Sequence, residues 1–136
     1  MTALQKDSIY CIILSLISFV LFFFLLIITG NKIEVACSAF AVFGLYGLGP
    51  IIFYKKSNKI LVDERDLEIS RKAGSFAFGM FWVVFVLVTT IITFIKGFES
   101  SIPVSFLFLF VWAGAIAISL GRAIIILMMY RKGIAQ

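Results

Sequence analysis

Apolar residues fall into four long runs, over 9–29, 33–54, 76–95 and 104–129, and the polar residues sit almost wholly in the gaps between them. A helix needs about 20 mainly apolar residues to cross the hydrocarbon core of a bilayer, and each run is long enough. None shows the strict alternation of a barrel strand. Lipid offers no partner for exposed backbone amides, so runs of this length are expected to be helices that close their own hydrogen bonds. The pattern predicts an all-α fold, an integral membrane four-helix bundle built as two helical hairpins. It is a single transmembrane domain over 1–136 with a charged segment at 55–74.

Composition agrees with that pattern. Hydrophobic residues make up 62% of the chain, charged residues only 14%, and the mean hydropathy is +1.15. An ordinary soluble domain carries about a quarter charged residues, so no separate soluble domain is expected. The first run is longer than the apolar core of a secretory signal and no small-residue cleavage site closes it, which predicts a retained helix. Cys11 lacks the leucine and small residues that precede a lipidated cysteine.

The distribution of basic residues predicts orientation, because Lys and Arg near helix ends favour the cytoplasmic side. Lys55, Lys56, Lys59, Arg65, Arg71 and Lys72 lie in the central segment, Lys6 precedes the first run, and Arg131 and Lys132 follow the last. Only Lys32 and Lys96 lie in the other two gaps. Nine against two places both termini and the central segment in the cytoplasm, and Tyr10, Tyr54 and Tyr130 at the same helix ends agree. The expected location is the cytoplasmic membrane of a prokaryote, spanned several times.

Inside the runs, four features stand out. Gly47, Gly49 and Pro50 predict a helix kink, since the proline ring crowds the carbonyl of Tyr46. Small residues at four-residue spacing, Ala113, Ala117 and Gly121 on the fourth helix and Ser75 with Gly79 on the third, predict close helix packing. Arg122 lies within the fourth run, roughly 13 Å along the axis from Arg131. It is expected to pair with Glu64 or Glu68 at the start of the third helix, with snorkelling towards headgroup phosphate as the alternative. Cys11 and Cys37 begin their helices at opposite membrane faces and are expected to be unbridged packing residues.

The densest charge cluster is Asp63, Glu64, Arg65, Asp66, Glu68, Arg71 and Lys72. It reads as a helix start, with Asp63 as the cap, acidic residues in the first turn and basic residues further on. Glu68 and Lys72 stand four apart in the favourable order, and no proline interrupts 63–95, so one helix is expected to run from the cluster into the third span. The pattern Asp63-Glu64-Arg65, then Ile69, then Lys72-Ala73-Gly74 resembles a family of small predicted membrane proteins of unknown function from archaea and bacteria. The resemblance implies the four-helix architecture and a cytoplasmic motif, and brings no activity with it.

As for function, the chain has no histidine, and no serine or cysteine stands beside an evident base, so an enzyme is not expected. No catalytic, cofactor or metal residues are assigned, and no nucleic-acid partner is expected. A proton-coupled exporter would need an acidic residue within the membrane, and no Asp or Glu falls well inside the four runs. The expected role is therefore a non-enzymatic interaction, regulatory or accessory protein. Its cytoplasmic charged helix, residues 63–72, would meet a protein partner or lipid headgroups. The alternative is a small-molecule or ion transporter, or a subunit of one, built as a homo-oligomer.

Overall fold

A computed structural model describes residues 1–54, 63–97 and 101–132 of the chain. Lys55, Lys56 and Lys59 of the central segment lie outside the described residues. All the described elements are helical. Helix α1 runs Ala3–Ile28, a second rod is made of α2 (Ile33–Ala36), a 3₁₀ segment (Cys37–Leu48) and α3 (Gly49–Tyr54), and α4 (Glu64–Lys96) and α5 (Val104–Lys132) follow. The helices α1, α4 and α5 are each long and apolar enough to cross a membrane.

Helix α1 starts earlier than its apolar run because Thr2 and Gln5 form a capping box. The Gln5 amide donates to Thr2 Oγ1 at 3.3 Å, and the Thr2 amide donates to Gln5 Oε1 at 2.9 Å. The helix ends in a tight reversal in which Gly30 and Asn31 both take positive φ, +64° and +67°. The Asn31 amide returns to the Leu26 carbonyl at 2.9 Å. That turn folds the second rod back along α1 as the first hairpin.

The second rod departs from a simple kinked α-helix, since twelve residues, Cys37–Leu48, are wound as 3₁₀. With three residues per turn the side chains eclipse in rows, which normally limits such runs to a few residues. Here the rows are sorted by size. Ser38, Ala41, Gly44 and Gly47 form an exposed row of small residues, while Cys37, Phe40 and Phe43 form a buried row continued by the half-buried Tyr46. At a rise of about 2.0 Å per residue the segment is longer than the same residues would be as an α-helix. The change back to α winding falls at Gly49, so Gly49 and Pro50 open α3 and Gly47 belongs to the 3₁₀ segment.

Helix α1 occupies the middle, packed on one side by the second rod and on the other by α5, while α4 packs mainly against α5 as the second hairpin. The main core joins Cys11 and Leu14 of α1, Phe40 and Phe43 of the rod, and Ile116 and Ala123 of α5. Phe40 stacks on Phe22 with ring centroids 5.0 Å apart and on Trp112 at 6.5 Å. A second cluster of Leu4, Ile69, Ala73 and Ile126 fastens the start of α4 to α1 and α5. Both cysteines are free and buried.

The small residues divide by role. Phe81 lies over Gly114, and Gly121 meets Ala77, so close approach of α4 and α5 is real. On α4, however, the residues turned inward are Ala73 and Ala77, whereas Ser75 and Gly79 are exposed. The expectation that Ser75 and Gly79 form the contact face within the chain is therefore corrected. The α4–α5 contact face is set by Ile69, Ala73 and Ala77, which places Ser75 and Gly79 on the other side of the helix.

Candidate functional site

The start of α4 has two faces. Asp66, Ile69 and Ala73, spaced three and four apart, turn towards the bundle and are buried. Asp63, Glu64, Arg65, Leu67, Glu68, Arg71 and Lys72 turn outwards and are exposed. Asp63 takes the extended backbone of an N-cap, but its side chain makes no capping hydrogen bond, which corrects its expected role. The helix start is held instead from Asp66. Tyr130 Oη of α5 donates to Asp66 Oδ1, and Thr2 Oγ1 donates to Tyr130 Oη at 3.3 Å. These three side chains tie the first turn of α4 to the end of α5 and the residue that caps α1.

On the outer face, Lys72 Nζ lies 2.6 Å from Glu68 Oε1. The hydrogen bond from Lys72 and its charge hold the Glu68 carboxyl below its ordinary range. The four carboxylates of the cluster do not converge, and among the described residues no three acidic, cysteine or histidine side chains come together as a metal site would require.

Arg122 reaches neither Glu64 nor Glu68. Its Nη2 donates to Ser70 Oγ at 2.7 Å, so the expected ion pair is corrected. The reason is helical phase: Ser70 follows Ile69 on the side of α4 that meets α5, while Glu64 and Glu68 project from the exposed side. The charge of Arg122 acts instead on Asp7 of α1.

Asp7 is the residue that the sequence reading missed. It precedes the apolar run at 9–29, yet it lies within the apolar helix α1 and is only 7% exposed. Tyr46 Oη donates to its Oδ2 at 3.5 Å, and its Oδ1 is buried with no hydrogen-bond partner among the described residues. Gly49 is what lets the second rod come this close, since a Cβ there would collide with Asp7 Oδ1. A signal was present. The buried residues of α1 are Leu4, Asp7, Ser8, Cys11, Leu14, Ser15 and Ser18, a stripe at helical spacing on which the polar and small residues of the helix gather. In a membrane helix the polar stripe, not the apolar one, marks the face that meets other helices. The hydroxyls of Ser8 and Ser15 are accommodated there by bonding back to the carbonyls of Leu4 and Cys11, each at 2.8 Å.

The arrangement is that of an all-helical integral membrane protein whose buried carboxylates, Asp7 and Asp66, lie at the end where α1 and α4 begin and α5 finishes. The family described as "Predicted membrane protein (DUF2178)" matches residues 6–133, and the chain belongs to it. No curated protein and no solved structure matches the chain.

Proposed function

We propose that the protein is a non-enzymatic membrane protein that presents the exposed face of α4's first three turns to a protein partner in the cytoplasm. The observation that carries this reading is the division of that helix. Asp66, Ile69 and Ala73 anchor it, and Glu64, Arg65, Glu68, Arg71 and Lys72 surround a Leu67 that is 58% exposed. A rigid helix that shows an apolar residue within a ring of charges loses little conformational entropy on docking. The basic excess at this end supports a cytoplasmic orientation.

A photo-crosslinking side chain at Leu67 and, for comparison, at Trp82 in native membrane tests it. One defined protein adduct at Leu67, lost when Arg71 and Glu68 are both replaced by Ala, is expected. Adducts to lipid alone at both positions overturn the reading. A reporter fused after Gln136 is expected to read cytoplasmic, and an external reading would reverse the orientation.

A second reading, transport of a small molecule or ion by a homo-oligomer, is favoured by Asp7, a carboxylate inside an apolar helix. Substrate flux in proteoliposomes that is lost in Asp7→Asn would support it.

A further inference from the structure

We infer that Asp7 is a proton-binding site, and that Arg122 exchanges between two acceptors, Ser70 when Asp7 is protonated and Asp7 itself when it is ionised. The groups that face Asp7 are named from each helix packed on α1. The second rod contributes Tyr46, whose hydroxyl donates to Oδ2, and Gly49, whose lack of a side chain leaves room for Oδ1. Helix α5 contributes the guanidinium of Arg122. Helix α4 contributes Ser70, reached through Arg122, and one turn nearer its start Asp66, which is occupied by Tyr130. On α1 itself, Cys11 is buried one turn further in, and Lys6 is exposed to solvent.

Buried carboxylate oxygen with no donor is unfavourable when it carries charge and far less so when it carries a proton. Among the described residues Oδ1 has no donor, while Arg122, the cation that would neutralise it, is spent on a neutral serine. That pairing is what a protonated Asp7 calls for. When the proton leaves to water at the nearby start of α1, a negative charge appears within the electrostatic reach of the Arg122 guanidinium. A charge-assisted bond is then about twice as strong as the bond to Ser70. Arg122 moves over, and α4 loses the hydrogen bond from Arg122 that ties Ser70 to α5. Proton occupancy at Asp7 thereby acts on the seating of α4, whose outer face carries the exposed charges.

The full chain in lipid bilayers, with ¹³C-labelled aspartate and ¹⁵N-labelled arginine, tests this directly. Infrared difference spectra between about pH 4 and about pH 9 are expected to show a protonated carboxyl band that disappears as pH rises. The Arg122–Ser70 coupling in solid-state NMR is expected to be lost over the same range. Asp7→Asn should abolish the band and keep Arg122 on Ser70 at every pH. Ser70→Ala removes the acceptor used in the protonated state, so the transition should move to lower pH. Tyr46→Phe removes a donor to the carboxylate and should move it higher, each by on the order of one pH unit, a tenfold change in proton affinity. Should Asp7→Asn fail to fold, the wild-type titration and the opposed shifts of the other two variants carry the test. An Asp7 that is ionised throughout, or an Arg122–Ser70 coupling that does not change with pH, overturns the proposal.

Discussion

Gly49 and Asp7 occupy positions that exclude a side chain at the first if the second is to stay where it is: a Cβ on Gly49 would meet Asp7 Oδ1. The obstacle is a short, buried carboxylate held by Tyr46, not the free end of a long side chain. Gly49→Ala is therefore expected to destabilise the bundle by roughly 1–3 kcal/mol, the usual cost of overpacking. Gly44→Ala, where none of the described residues lies within 4 Å of the added atom, serves as the comparison and should be tolerated. Unfolding in mixed micelles compares the two, and equal stabilities would show that the close approach carries no constraint.

Tyr130 is the link by which α5 holds the start of α4. Removing its hydroxyl leaves Asp66, only 6% exposed, without the donor that satisfies it. Tyr130→Phe is expected to cost about 1–3 kcal/mol, the range for stranding a buried polar group. The damage should be local, with faster amide exchange along 64–73 and none at the far end of α4 near Thr93. Uniform loss of protection along α4 would mean that the clasp stabilises the whole bundle instead.

Much of this architecture was legible from the chain alone, and the failures have physical causes. The apolar runs gave the helices, because lipid leaves the backbone no alternative to internal hydrogen bonding. The charge cluster gave the start of α4 at Asp63, yet not the means of holding it, because a helical start can be anchored from Asp66 as well as capped from Asp63. The 3₁₀ winding is written as a period of three in Ser38, Ala41, Gly44 and Gly47, a pattern that the kink expected from Gly47, Gly49 and Pro50 does not use. Asp7 escapes a count of spans that begins at the first unbroken apolar residue, Ile9. The polar stripe from Asp7 to Ser18 pointed the other way. The charge cluster offers Arg122 the acidic residues Glu64 and Glu68 at the start of the third helix, and only the phase of α4 shows that Ser70 is the residue turned towards it.

Glu68 and Lys72 make the closest ion pair among the described residues, and it should matter least to stability. Their side chains are 65% and 63% exposed, so water and salt screen the attraction. Lys72 depresses the Glu68 carboxyl. The sign follows: any stabilisation is present above the unfolded carboxyl's range and is lost as pH falls through the lower, folded value. Glu68→Gln is expected to leave unfolding at neutral pH unchanged within error while altering partner crosslinking at Leu67. A clear stability loss would show that this pair shapes the helix and does not merely decorate its outer face.

Gly114 and Gly121 lie two turns apart on α5 and both face α4, but they predict opposite outcomes. A Cβ at Gly121 would sit 3.6 Å from Ala77 Cβ, an ordinary contact. Replacing glycine by alanine inside a helix gains roughly 0.5–1 kcal/mol, so Gly121→Ala should be neutral or stabilising. At Gly114 the added atom would stand 3.0 Å and 3.1 Å from two ring carbons of Phe81. That ring is not free to withdraw. It packs against Trp82 at 6.2 Å and Phe85 at 5.7 Å, and Phe85 in turn meets Phe110 of α5 at 5.2 Å. Displacing it presses on an aromatic row that joins the two helices, which outweighs the gain in helix propensity. Gly114→Ala is therefore expected to destabilise the α4–α5 hairpin. Gly114→Ala combined with Phe81→Leu, which removes the ring, should recover part of the loss. Additive losses in the double variant, measured by the same micellar unfolding, would show that the ring is not what opposes a side chain at Gly114.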